Sequence, residues 1–362
     1  PSPRLPISRQ GWVDESGAFL PQSHEAITAQ AYRLASATLR PWCECSPRSF
    51  SVLPIARACN ASCAFCFSKA SVSNSTIPSR LDLNIVGWWA SKARQAGAHR
   101  AVITGGGEPA LLPPKAMEEL VGCLSKEFDS VLLITNGSQV VRQSQKHGRR
   151  HAVSILEGWK AAGLSRVAVS RHGVDAVSDA ALMGLTVDGA QALSLIHEAK
   201  LGSRLICVLQ RGGVESPHQI KQYLHRAAQE GTSQVCFKEL YVSALSENPL
   251  APSAENQYCL ANQVPLSMAM TSLEDMGFTI ARRLPWGSPV YVGQVGGVEM
   301  SVATYTEPSV GWERRHGLVR SWNLLASGQC LASLEDPGSV LNNPTQALTR
   351  SALTLPGAQA LV

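Results

Sequence analysis

Three cysteines fall within eight positions of one short segment, RACNASCAFCFSKA (57–70): Cys59, Cys63 and Cys66. Thiolates are ligands for soft metals, so the clustering points first to metal chemistry. A structural zinc site takes four ligands, usually as two separated pairs. No nearby Cys or His completes such a set; His172 and the Cys43/Cys45 pair could join only through space. A [4Fe–4S] cubane normally takes four cysteines, so three would leave one iron open to a ligand that is not protein. Catalytic zinc sites keep one position open for the same purpose. An open cluster, a zinc site completed from elsewhere and inert thiols are the three readings these residues allow.

The elements that must hold this loop are legible as alternating runs. Apolar stretches at 51–56, 100–105, 130–137, 166–170, 204–210 and 234–242 read as strands. Helical patterns lie between them at 81–96, 114–127, 152–163, within 175–200, and at 216–230. Strands separated by helices imply βαβ units, hence parallel pairing with right-handed crossovers. The strands are apolar throughout, as expected when both faces are covered. The fold expected is α/β, a partial (β/α)6 TIM-like barrel over 51–243. Residues 1–50 read as an extension rich in Pro and Ser, with one helical-looking piece at 23–39. Residues 244–343 read as a small α+β appendage that caps the barrel, with a helix at 258–276 and hairpin-like runs after it. Residues 344–362 read as a tail.

Motif and position together resemble the radical S-adenosylmethionine (SAM) superfamily. CNASCAFC matches its Cx3Cx2C signature, with Phe65 just before the third cysteine. ITGGGEP (103–109) follows the second strand, as that family's Gly-Gly-Glu motif does, while ITNG (134–137) and VSRH (169–172) end the third and fourth strands. The resemblance covers residues 50–243. It implies a [4Fe–4S] cluster held by Cys59, Cys63 and Cys66, with SAM on the open iron. Reductive cleavage of SAM would then give a 5′-deoxyadenosyl radical that takes a hydrogen atom from a substrate. It further implies that Gly105, Gly106 and Gly107 let the backbone approach SAM, and that Glu108 accepts from the methionyl ammonium. Phe65 would lie against the adenine. Asn136 and Ser170 would serve ribose hydroxyls or the SAM carboxylate, and Arg171 that carboxylate. No second Arg stands in the DAALMGLTVDG region, which leaves Arg171 or Arg211 for that task. The one-electron step implies a flavodoxin- or ferredoxin-type donor.

The substrate is less legible. In the sixth strand, Lys238 and Glu239 face opposite ways; Glu239, in phase with Tyr241, is expected at the barrel mouth. Arg314, Arg315, His316 and Arg320 cluster where an anionic substrate could be received, or simply form a solvated basic loop. RSWNLLASGQCLASLED (320–336) resembles a reduced SPASM or twitch appendage of the same superfamily. The only spare thiols for an auxiliary cluster are Cys43, Cys45, Cys259 and Cys330, so a cluster-free remnant is expected. Cys330 is then a candidate to return a hydrogen atom to a substrate radical, as in redox-neutral epimerases of the superfamily; burial as a small apolar side chain is the alternative. A small molecule of sugar, amino acid or nucleoside type in a biosynthetic pathway is the expected substrate. A peptide-modifying maturase is the alternative, although the cysteine count of the C-terminal part is low for one.

Bulk properties narrow the field. The 362-residue chain is 44% hydrophobic and 16% charged, which is ordinary for a globular protein. A formal charge of +5 is mild, so nucleic acid is not expected as substrate. No run of about 18 apolar residues and no signal-peptide h-region occur, so a cytoplasmic protein without membrane contact is expected. Ten cysteines in such a setting favour metal or redox chemistry over a disulfide framework.

Overall fold

The computed structural model describes residues 11–13, 19–21, 39–76, 80–243 and 248–342. The helical-looking stretch expected at 23–39 falls almost wholly outside the described residues, as does the 344–362 tail. Twelve strands form one sheet: β1 (Phe50–Leu53), β2 (Ala101–Ile103), β3 (Val131–Thr135), β4 (Leu164–Ser170), β5 (Gly202–Leu209), β6 (Gln234–Glu239), β7 (Thr279–Arg283), β8 (Pro289–Val295), β9 (Val298–Tyr305), β10 (Trp322–Leu325), β11 (Cys330–Leu331) and β12 (Val340–Leu341). Their spatial order is β7-β8-β9-β6-β5-β4-β3-β2-β1-β10-β11-β12. The six expected strands are all present and run parallel in sequence order. β9 adds in parallel beyond β6, and β10 adds in parallel beyond β1. The sheet is open among the described residues, with β7 and β12 at its edges. The strands of the C-terminal α+β part extend both ends of the same sheet.

Helices α1 (Leu83–Gln95), α2 (Pro114–Leu124), α3 (Ser138–His147), α4 (Arg149–Ala161), α5 (Ala176–Met183), α6 (Gly189–Glu198) and α7 (Pro217–Gln229) make the crossovers. Local chemistry sets their limits. The Asp82 side chain accepts from Asn84 N at the start of α1, and the helix buries Val86, Trp89, Ala90 and Ala93, one stripe at helical spacing. Ser216 caps α7, with Pro217 in its first turn. The single helix expected within 175–200 is two, because Gly184 turns the chain at φ +58 and Asp188 caps the next start. The expected helix at 258–276 also divides, into α8 (Ala254–Ala261) and α9 (Leu266–Asp275), with Pro265 as the N-cap of the second. α10 (Val310–His316) is capped by Ser309.

Strand period sorts the side chains into two layers. Ala101, Val131, Val167, Leu205, Val235 and Phe237 pack in the large core under the helices. Val102, Leu132, Ile134, Ala168 and Ile206 form an apolar layer on the opposite, inner face. The two ends of that inner face carry the polar groups.

Candidate active site at the C-terminal ends of the parallel strands

The cysteine loop leaves the C-terminal end of β1 and is laced to the turn after β2. Arg57 N donates to Gly106 O at 2.9 Å, Glu108 N to Ala58 O at 2.8 Å, and Gly106 N to Ser68 Oγ at 3.0 Å. Glycine is required here by a close approach between the two loops. A Cβ on Gly107 would lie 2.0 Å from Ala58 O, and one on Gly106, where φ is +90, would lie 2.4 Å from Ile55 O. The backbone that Gly106 and Gly107 admit is that of the cysteine loop itself, whereas the resemblance assigned this space to SAM.

Glu108 is buried, 4% exposed, at the centre of this lacing. Its Oε1 accepts from Ala110 N at 2.9 Å and Thr135 Oγ1 at 2.5 Å, and its Oε2 accepts from Asn136 N at 2.9 Å. Burial pushes its carboxyl above the ordinary range, and these three donors oppose the shift. Asn136 is used at both ends: Nδ2 donates to Asn60 Oδ1 at 2.9 Å, and Oδ1 accepts from Ser138 N at 2.9 Å. The Glu108 side chain therefore ties the glycine turn to the end of β3, and the Asn136 side chain ties the cysteine loop to it. Asn60, Ser68 and Thr135 complete this framework. Only their neighbourhood to the motifs could have signalled it.

Cys59 is exposed, while Cys63 and Cys66 are half-buried. Burial, then the charges of Cys66 and Cys59, push the Cys63 thiol up to about 12. Burial also raises Cys59, with Glu108 and Cys66 adding to it. Thiols that raise one another in this way resist ionising together, and a cationic iron–sulfur cluster would remove that resistance. Among the described residues no group of three His, Cys, Asp or Glu side chains stands at metal-binding spacing. The donor set fits a cluster in number, kind and electrostatics; the side chains have still to converge on it, as is usual where binding organises the site. His172 is not a fourth ligand: it is buried, its Nδ1 accepts from Val208 N at 3.1 Å, and burial lowers its pKa to about 3.

Phe65 stands edge-on to His172, with ring centroids 4.9 Å apart, and 6.4 Å from the Tyr258 ring. α8 brings Tyr258 and Cys259 over the loop; Phe65 and Val208 pack against Leu240, Val242 and Cys259. Tyr258 Oη donates to Gln210 Oε1 at 3.1 Å. Ser170 is half-buried and shares the inner face with Ala168.

The remaining expectations are corrected by strand phase and pairing. Arg171 points to the helix side, where it is 3% exposed and bonded to Asp179 at 2.9 Å and Glu230 at 3.1 Å. Its guanidinium is committed to the protein's own carboxylates. Glu239 is in phase with Val235 and Phe237 of the helix-side core, and its carboxylate accepts from Thr306 Oγ1. Lys238 is the strand-six side chain on the inner face; it donates to Glu307 Oε1 at 2.8 Å and lies 5.0 Å from the Tyr305 ring centroid. Cys330 is 1% exposed in the helix-side core, while Leu331 takes the inner face, so the thiol points away from the inner face. Arg320 is bonded to Glu307, Glu313 and Glu335. Arg314, Arg315 and His316 occupy the last turn of α10, where cations suit the helix dipole.

No family model and no curated protein matches the chain. Solved structures do resemble it. Coproporphyrinogen III oxidase from Escherichia coli, described as a radical SAM enzyme, aligns at 12% identity and a TM-score of 0.41, over 69% of this chain and 56% of that one. Methylornithine synthase aligns at 16% and 0.39, over 54% of each chain. KD(P)GA from T.tenax aligns at 11% and 0.29, over 58% of this chain and 59% of that one. The chain thus spans little more than half the length of these structures. At such scores the likenesses assign no function, which has to come from the site.

Proposed function

We propose that the chain is a radical SAM enzyme acting on a small molecule of sugar, amino acid or nucleoside type. The observation that carries the reading is the Cx3Cx2C loop at the end of β1, interlocked through backbone bonds with the GGGEP turn at the end of β2. Three thiols with no fourth Cys or His ligand joining them among the described residues suit a cluster with one open iron.

Cys59, Cys63 and Cys66 would hold the [4Fe–4S] cluster. With SAM bound, that cluster supplies a 5′-deoxyadenosyl radical for hydrogen-atom abstraction. The chain's own part is to hold, orient and shield. Glu108 and Asn136 fix the glycine turn and the cysteine loop against β3. Phe65 and Tyr258 offer aromatic faces beside it, and Ser170 offers a hydroxyl on the inner face. Lys238, held by Glu307 at the same end of β6, would form part of the polar wall there. A flavodoxin- or ferredoxin-type protein would supply the electron.

Anaerobic reconstitution with iron and sulfide, followed by SAM and dithionite, tests the proposal. Formation of 5′-deoxyadenosine, lost in Cys63→Ala, is the expected result. A protein that takes up iron yet leaves SAM intact would exclude it.

A further inference from the structure

The other end of the inner face carries a second set of charged groups with no role in that chemistry. Arg100 immediately precedes β2 in phase with Val102, and Arg166 and Arg204 are in phase with Ala168 and Ile206. All three belong to the inner face near the strand starts, below the apolar layer. The register row Ile206–Cys236–Ala303–Val290–Arg282 places a fourth arginine on the same face.

The geometry of these guanidiniums is specific. Arg204 Nε and Nη2 both donate to Gln234 Oε1, at 3.2 and 2.9 Å. Arg166 lies over Gly202, where a Cβ would come within 3.2 Å of its Nε. Arg100 Nε and Arg166 Nε are both shielded from solvent and have no hydrogen-bond acceptor. None of the four arginines pairs with a carboxylate among the described residues. Elsewhere in the molecule the inward arginines are matched: Arg171 by Asp179 and Glu230, and Arg320 by Glu307, Glu313 and Glu335.

Electrostatics agrees with convergence. Burial pushes Arg204 below its usual range; Cys236 opposes the shift, and Arg166, Arg100 and Arg282 add to it. Arg48 is lowered by burial, then by Arg100 and Arg282, so a fifth guanidinium borders the group. Like charges gathered without counter-charge oppose folding, and a shielded N–H without an acceptor adds to that penalty.

We propose that this basin binds a small, multiply charged anion of the phosphate class. A tetrahedral oxyanion offers several acceptor oxygens at once, the complement of several planar guanidinium forks. The arginines reach the one inner face from β4, β5 and β7 and from the residue before β2, and Arg166, Arg100 and Arg282 all act on the charge of Arg204. A nucleic-acid strand would call for cations spread along an extended track. On β4 the basin is separated from Ser170 by four residues, about 13 Å of strand. The anion site is therefore distinct from the cysteine site.

The test is thermal denaturation of the full chain with inorganic pyrophosphate at constant ionic strength. A saturable rise in Tm is expected. Arg204→Gln and Arg282→Gln should each weaken the apparent affinity about tenfold or more, and Arg142→Gln on the exposed side of α3 should leave it unchanged. Arg282 is itself exposed, so its variant remains informative should Arg204→Gln fold poorly. No saturable shift beyond that of chloride, or equal shifts in the wild type and Arg282→Gln, would overturn the proposal.

Discussion

A carboxylate that accepts from three donors cannot become its amide without setting one donor against another. Glu108 is in that position, facing Ala110 N, Thr135 Oγ1 and Asn136 N. Glu108→Gln is expected to lower stability by about 1–3 kcal/mol, read from urea denaturation. His172 carries a pH signature. Its folded pKa is lowered to about 3, so as pH falls below the unfolded value, about 6.5, the unfolded chain takes the proton first. Its contribution to stability is therefore full above pH ~6.5 and is lost as pH drops toward the folded value. His172→Asn, which keeps an acceptor for Val208 N, should show a shallower fall in denaturation midpoint between pH 7 and 5 than the wild type. The cysteines and the glycine turn were legible because the thiol spacing is fixed by chemistry and three consecutive glycines precede Glu108. Lys238 was missed because Glu239 was phased against Tyr241, which lies beyond the strand end. Phasing from Phe237, the largest apolar side chain of β6, gives the observed assignment. Arg171 was misread because its helix-side carboxylates, Asp179 on α5 and Glu230 after α7, meet it only once the crossovers pack.

At the scale of elements, glycines divide into those that admit another backbone and those that do not. Gly107 faces Ala58 O, a backbone atom that cannot swing aside. Gly107→Ala should displace the cysteine loop and lower iron retention severalfold after reconstitution, with helix content by circular dichroism unchanged. Gly122 lies within α2 and a Cβ there meets nothing within 4 Å. Gly122→Ala should raise stability by about 0.5–1 kcal/mol, measured in the same denaturation experiment. The six central strands stood out in the sequence because both their faces are apolar. Helix α3 did not, because its SQVVRQSQKH sequence buries only Val140, Val141 and Ser144. The helix division at Gly184 is a backbone event, and Gly184 marks it only once its positive φ is known.

For the whole molecule, the sheet places two polar ends around one apolar layer. The C-terminal ends of the strands gather three thiols, an aromatic patch and a lysine; the N-terminal ends gather arginines. The membership of β7–β12 in this sheet was not legible, because β9 pairs with β6 and β10 with β1 across long sequence separations. Among the described residues no helix is long and apolar enough to cross a membrane. The three-thiol loop is proposed to hold an iron–sulfur cluster with one open site. Its most direct test is metal and sulfide analysis of the anaerobically purified full chain, beside a Cys59→Ala/Cys63→Ala/Cys66→Ala variant. A coloured protein with about four irons and four acid-labile sulfides per chain is expected, both lost in the variant. A colourless chain carrying zinc and no sulfide would contradict it.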